Sequence, residues 1–305
     1  MHRYPIDRRK IGTVGMTHGS RLIIGCGYLG IRLAQLWSSD QAPLFATTRQ
    51  PSRAQDFRNR GITPIQWDVL TGGDSLPQVE TVVYAVGYDR AQSASKRDVY
   101  VEGLRHTLSH LPRPGRLIYV SSTGVYGDHH GEWVDESTPP APIDEGGQAC
   151  LDAERVLQET ASQNDWNVNV LRFAGIYGPG RVIGVDGLRK GQAIAGNPEG
   201  WLNLIHVMDG ARVIDAVSRR GQEGEIFLVS DGHPVLRRDF YSYLSERAGA
   251  PAPTFDRSAA SRHRGDRRVS SQKMMRELAP VLAYPSFREG IDHSLLAPTP
   301  DRNVD

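Results

Sequence analysis

An α/β fold built on a doubly wound parallel sheet is what this sequence predicts, on three observations. Short apolar runs alternate with longer amphipathic ones, glycine and proline punctuate the joins, and the first apolar run passes through a glycine turn into a helix. Residues 21–24, 44–47, 81–86, 116–121 and 168–172 read as strands, and the segments between them, such as 29–37 and 152–162, read as helices. Residues 225–230 read as a returning strand. The glycine-rich stretch 177–198 and the proline-rich stretch 249–253 fall outside this alternation. The expected organisation is therefore a disordered extension over 1–19, a sheet domain over 20–176 to which 203–230 return, and a small C-terminal substrate lobe made of 177–202 and 231–305.

Composition narrows the function. The chain has 305 residues, 39% hydrophobic and 23% charged, enough to bury a large core. A formal net charge of +1 provides no general field for nucleic acid or an anionic membrane surface, so a small molecule is the expected partner. Oligomeric state leaves no signature here. Cys26 and Cys150 are the two cysteines, with no C-x-x-C pairing, so neither a disulfide framework nor a zinc site is expected and the cytoplasm is the expected compartment. Residues 1–19 lack the apolar run of a secretory signal, and Met16, just ahead of the first strand, is an alternative start. No run reaches the ~18 apolar residues of a membrane helix.

The strongest motif is Gly25-Cys26-Gly27-Tyr28-Leu29-Gly30, preceded by Arg21-Leu22-Ile23-Ile24 and followed by an amphipathic helix. Strand, glycine turn and helix in that order form the dinucleotide-binding arrangement of a Rossmann-type sheet. Gly25 allows the tight turn, Gly27 lets backbone amides approach a pyrophosphate, and Gly30 lets helix and strand pack closely. About 20 residues on, NAD binders carry an acidic residue for the ribose hydroxyls. Here the second strand ends Thr47-Thr48-Arg49. A guanidinium at that place suits a 2′-phosphate, so NADP is expected ahead of NAD.

With these residues in place the sequence resembles the extended short-chain dehydrogenase/reductase family, the NAD-dependent epimerases and dehydratases. The likeness extends through Trp67-Asp68-Val69, Tyr84-Ala85-Val86-Gly87, the run from Tyr119 to Gly127, the run from Leu171 to Arg181, and Asn203-Leu204-Ile205-His206-Val207-Met208-Asp209. The ending from Arg268 to Gly290 resembles an atypical bacterial branch, the YeeZ-like proteins. The resemblance implies a cofactor held by Gly25, Gly27, Tyr28, Leu29 and Gly30, by Thr48 and Arg49, by Asp68 and Val69 at the adenine, and by Ala85, Val86, Gly87 and Ser121. It implies Ser122 as the catalytic hydroxyl.

The family also uses a tyrosine that exchanges a proton with substrate oxygen and a lysine that lowers its pKa and holds the ribose. In register with Glu154 these places hold Gly146 and Cys150. None of the eleven tyrosines has a lysine four residues later. An asparagine expected three residues before Gly103 is replaced by Tyr100. Tyr126 and His130, on the loop after Ser122, are candidate substitutes, although Tyr126 also reads as a packing residue. Asp128, His129 and Glu132 show no ligand spacing, and no metal is expected. Cys150 reads as a packed side chain unless a cation lies near it, and His206 reads as structural. Arg172, Arg181 and Arg189 are candidate partners for a phosphorylated substrate. Two functions remain open: an NADP-linked oxidoreductase, epimerase or dehydratase-like enzyme on a small hydroxylated or nucleotide-linked compound, and a non-catalytic sensor of cofactor or metabolite.

Overall fold

The computed structural model describes residues 19–89, 91, 93–259 and 265–297. The extension expected over 1–19 and the alternative start at Met16 lie outside the described residues, apart from Gly19. The main sheet contains β1 (Arg21–Ile24), β2 (Leu44–Thr48), β3 (Thr63–Asp68), β4 (Gly72–Gly73), β5 (Thr81–Tyr84), β6 (Arg116–Ser122), β7 (Val168–Phe173) and β8 (Ile226–Val229). Their order is β8-β7-β6-β5-β1-β2-β3-β4, parallel throughout except for β4 at one edge. The expected fold class is what forms.

The central strands are covered on both faces, and the period of two along them divides their side chains between two cores. Ile23, Val83 and Ile118 join one cluster with α1 (Tyr28–Trp37), Phe57 of α2 (Ala54–Asn59) and α6 (Val207–Arg220), with α5 (Val185–Arg189) lying apart from it. Leu22, Ile24, Val82 and Leu117 join the other, with α3 (Gly103–His110) and α4 (Glu145–Asn164). Sequence order runs outward in both directions from β1 and β5, which makes their junction the switch point where α/β sheets bind ligands beyond the strand ends. β3 is missing from the runs predicted above because Pro64 and the exposed Gln66 dilute its apolar pattern; Ile65 and Trp67 alone point inward.

The small lobe has its own core, in which Tyr177 and Leu202 meet Phe240 and Leu244 of α7 (Arg237–Ala248) and Phe287 and Ile291 of α9 (Phe287–Leu296). Ser286 and Glu289 close the start of α9 as a reciprocal capping box, fixing where that helix begins. One part of 231–305 departs from the expected division. In α8 (Gln272–Leu278), Met274 and Leu278 pack into the α1/α6 core, Arg220 donates to the Leu278 carbonyl at 2.7 Å, and the segment thus belongs to the sheet. Among the described residues no helix is long and apolar enough to cross a membrane.

Candidate cofactor cleft and the altered catalytic face

At the switch point the backbone leaves β1 through Gly25 at φ +83°, in the left-handed region. A Cβ there would stand 2.7 Å from the Ala85 carbonyl and from Val86 Cα, so glycine alone lets the turn press against the end of β5. The Gly25 N–H donates to Thr47 Oγ1 at 3.1 Å, tying the turn to β2. Gly30 would bring a Cβ within 3.0 Å of the Gly25 carbonyl oxygen, which is the close helix–strand packing its spacing predicts. α1 begins at Gly27 with no side chain capping it. Its first amides and its dipole are therefore left for an anion, and the cradle fits a pyrophosphate.

Tyr28 forms the lip of this cradle. Arg32 lies over one part of its ring at 4.2 Å and Arg181 at 5.3 Å, and its hydroxyl donates to the Pro179 carbonyl at 3.2 Å. Burial pushes the phenol up to about 12 against the pull of both guanidiniums. Arg181 is thus assembled beside the glycine turn. Leu29 is buried beneath it. Gly87 is exposed with open space around it, whereas Ala85 and Val86 are half-buried at the end of β5.

The adenosine side is mixed. Arg49 is exposed at the end of β2 and faces Asp89 at 3.4 Å. Thr48 is buried, and its hydroxyl accepts from the Gln50 amide at 3.1 Å, which turns the chain after the strand. Asp68 accepts from the Leu70 amide at 2.7 Å; the Val69 carbonyl bonds the His106 ring at 2.8 Å, and the Val69 side chain packs toward Gly103.

Across β5, the β6 side has turned its charge inward. Glu154 on α4 and Arg172 on β7 are buried and paired, with Nη2 2.7 Å from Oε2 and Nε 3.1 Å from Oε1. Ser121 donates to the same Glu154 carboxylate at 2.5 Å, and Arg172 donates to the Tyr126 hydroxyl at 2.7 Å. Every polar atom in this network has a partner, as burial demands. Ser121 faces α4 and its hydroxyl donates to Glu154. Arg172 is paired with Glu154 within the core. Tyr126 has no exposed surface and its phenol is pushed up to about 12, chiefly by burial, in line with its reading as a packing residue.

Ser122, one residue on, points the other way. It is half-buried at the mouth, where its hydroxyl accepts from the Gly124 amide at 3.0 Å and caps the short helical turn Thr123–Tyr126. Cys150 is buried and pushed up to about 12 by that burial, which makes it a packed thiol. His206 accepts from the Met208 amide at 3.3 Å at the start of α6; burial, first of all, holds its ring neutral by driving its pKa down to about 3. His130 and Asp128 sit on an exposed loop, with Asp128 accepting from the His130 and Asp266 amides.

At this face Lys96 escaped the sequence reading, and Tyr100 entered it only as the replacement of an asparagine. Lys96 stands just before a π-helical turn, Asp98–Glu102, and its Nζ would lie 3.4 Å from a Cβ placed on Gly146. Tyr100, inside that turn, packs against the buried cluster that contains Cys150, with its ring edge-on to Tyr88 at 6.4 Å.

Residues 22–230 match the model of the NAD dependent epimerase/dehydratase family. Protein YeeZ of Escherichia coli K12 is 26% identical over 277 residues, covering 86% of this chain and 95% of that protein. A functionally unknown conserved protein from Silicibacter pomeroyi DSS has a TM-score of 0.73 at 28% identity, covering 91% of this chain and 98% of that one. A UDP-glucuronic acid 4-epimerase from Bacillus cereus, in complex with UDP-glucuronic acid and NAD, has a TM-score of 0.77 at 17% identity over 90% and 98% of the two chains, a likeness of fold. The glycine turn at the switch point and the family match over most of the chain agree, and the chain belongs to the NAD dependent epimerase/dehydratase family.

Proposed function

We propose that the protein binds NADP in preference to NAD and serves an oxidoreductase, epimerase or dehydratase-like reaction on a small hydroxylated or nucleotide-linked substrate in the cytoplasm. The observation that carries this reading is Gly25, wedged against the end of β5 beneath a helix whose first amides no side chain caps. In it, Gly25, Gly27 and the start of α1 hold the pyrophosphate, with Arg181 and Arg32 supplying positive charge beside Tyr28. Asp68 and Val69 border the adenine, and Arg49 meets the 2′-phosphate, exchanging its exposed contact with Asp89 for a charge-assisted one. Ala85, Val86 and Gly87 border the ribose at the β5 end. The bound cofactor supplies or accepts hydride at its nicotinamide. Ser122, half-buried at the mouth, orients a substrate oxygen, and the small lobe of 177–202 and most of 231–305 covers the substrate.

A second reading, a cofactor sensor without turnover, is favoured by one observation: Gly146 and Cys150 offer no proton donor on α4. The two part in one experiment. Calorimetric titration with NADP and NAD is combined with an absorbance assay of the reduced nicotinamide over sugars, ketones and aldehydes. Tight NADP binding with turnover supports the enzyme, and tight binding with silence throughout supports the sensor. Arg49→Ala is expected to weaken NADP by roughly tenfold, the worth of one charge-assisted contact, while leaving NAD within about twofold. Equal losses for both would remove Arg49 from the 2′-phosphate.

A further inference from the structure

We propose that His206 is a positioning residue for the cofactor lip: with NADP bound, its buried Nε2–H bonds the Tyr28 hydroxyl and so fixes the Gly178–Arg181 turn over the glycine cradle. The inference rests on the cofactor-binding reading above and names what holds the lip of that site.

The tautomer of His206 is set by its surroundings. The residue has no exposed surface, and its Nδ1 accepts from the Met208 amide at 3.3 Å, the bond that caps α6. Burial, followed by His293, Arg212 and Arg32, drives its pKa down to about 3 and keeps the ring neutral. A neutral ring whose Nδ1 accepts carries its proton on Nε2. Nε2–H is thus a buried donor, and among the described residues it has no hydrogen-bond partner. Native structures seldom leave such a group unmatched, and the cap on α6 does not account for it.

The chain fold shows where this donor is aimed. His206 pairs with Tyr177 in the short parallel ladder between 204–206 and 175–177, which sets it beside Gly178. A Cβ built on Gly178 would stand 2.7 Å from Tyr28 Oη, 2.8 Å from Val207 Cγ1 and 3.3 Å from His206 Nε2. Donor and hydroxyl therefore border one small space, which glycine leaves open. The Tyr28 hydroxyl donates to the Pro179 carbonyl at 3.2 Å and keeps its lone pairs to accept with. Pro179 lies in a turn that Gly178 and Arg181 close on each other, with amide-to-carbonyl distances of 3.2 and 2.9 Å. A bond from His206 to Tyr28 makes one chain that ends on this turn, each link polarising the next.

The need for such a hold comes from the cations. Arg32 and Arg181 rest on the Tyr28 ring, and they are the charges that a pyrophosphate at the glycine turn engages. With the guanidiniums turned to phosphate, the phenol depends on its hydroxyl, and His206 is the buried donor beside it. On its other sides the imidazole is packed by the rings of Tyr284, at 3.8 Å between centroids, and His293 of α9, edge-on at 5.3 Å. His293 Nδ1 also lacks a partner, which makes it the rival acceptor. Through this one ring the small lobe bears on the seat of the cofactor lip.

The test uses the full chain, isotopically labelled at its histidine nitrogens, and two readouts. In the first, nitrogen–proton correlations of the imidazoles are recorded with and without NADP, the His206 signal being the one lost in His206→Gln. A neutral Nε2–H tautomer is expected, whose proton shifts on saturation with NADP in the wild type and stays in place in Tyr28→Phe. In the second, NADP affinity is measured by calorimetry. His206→Asn keeps an acceptor near the place of Nδ1 for the α6 cap and loses the Nε2 donor, whereas His206→Gln keeps an N–H near the place of Nε2. His206→Asn and Tyr28→Phe are each expected to weaken NADP by roughly tenfold, and His206→Gln by no more than about threefold. The double variant of His206→Asn with Tyr28→Phe should bind about as well as Tyr28→Phe alone. Equal losses in the Asn and Gln variants, or additive losses in the double variant, overturn the proposal. So does an Nε2 proton that shifts in Tyr28→Phe as in the wild type, or one that answers to His293→Phe and not to NADP, which makes His293 the acceptor. If the His206 variants do not fold, the wild-type and Tyr28→Phe spectra decide. A wild type that binds neither NADP nor NAD overturns the cofactor reading, and the role of His206 with it.

Discussion

The β1 side and the β6 side of the sheet's mouth have only β5 between them, yet they are built on different principles. On the β1 side the working parts are backbone: an amide-lined turn, a left-handed glycine and an uncapped helix start. On the β6 side the working parts are side chains, and those nearest the expected station have turned inward, with Ser121, Glu154, Arg172 and Tyr126 satisfying one another in the core. A site made of backbone can be specified by a few glycines at fixed spacing. A site made of side chains depends on which elements face each other.

The largest way to break this contrast is through the buried network. Glu154→Ala leaves the Arg172 guanidinium buried without its counter-charge and the Ser121 hydroxyl without an acceptor. Stability is expected to fall by about 3–5 kcal/mol, read as a drop in the denaturation midpoint at unchanged slope. A loss below about 1 kcal/mol would mean that water reaches the pair and that the β6 side is not a sealed floor. The next effect belongs to the turn. Gly25→Ala places a methyl 2.7 Å from the β5 backbone in a left-handed conformation, so NADP affinity is expected to fall by at least about 100-fold. Unchanged affinity in a folded variant, measured by calorimetry, would show that the turn is not the pyrophosphate cradle. The smallest effect sharpens the division between core and cleft. Tyr126→Phe removes the hydroxyl that Arg172 bonds, at a cost of roughly 1–2 kcal/mol in stability. Turnover per folded molecule should stay at the wild-type level; a collapse in rate would put the proton donor back on the loop after Ser122.

Much of the fold was legible because fully buried parallel strands write themselves as short apolar runs. The turn was legible because steric exclusion at Gly25 and Gly30 admits one residue type. Strand β3 was not, since an edge-ward strand tolerates Pro64 and an exposed Gln66. The return of α8 to the sheet was not, since a seven-residue amphipathic helix does not say which core its Met274 and Leu278 will join.

At the site, sequence alone determined the glycine turn between β1 and α1, the arginine at the end of β2, and the lack of a tyrosine and lysine at 146 and 150. Each of these is a statement about one position and its immediate neighbours. Tertiary structure alone decided that Ser121 faces the core while Ser122 faces the mouth, that Arg172 belongs to Glu154, and that Lys96 comes to rest before Gly146. Those outcomes depend on contacts between segments 18 to 50 positions apart, such as Arg172 with Glu154 and Lys96 with Gly146. Local propensity carries no information about such pairings; they are settled when helices and strands pack, because the cost of leaving a buried charge unpaired selects its partner from whatever side chains the packing brings within reach.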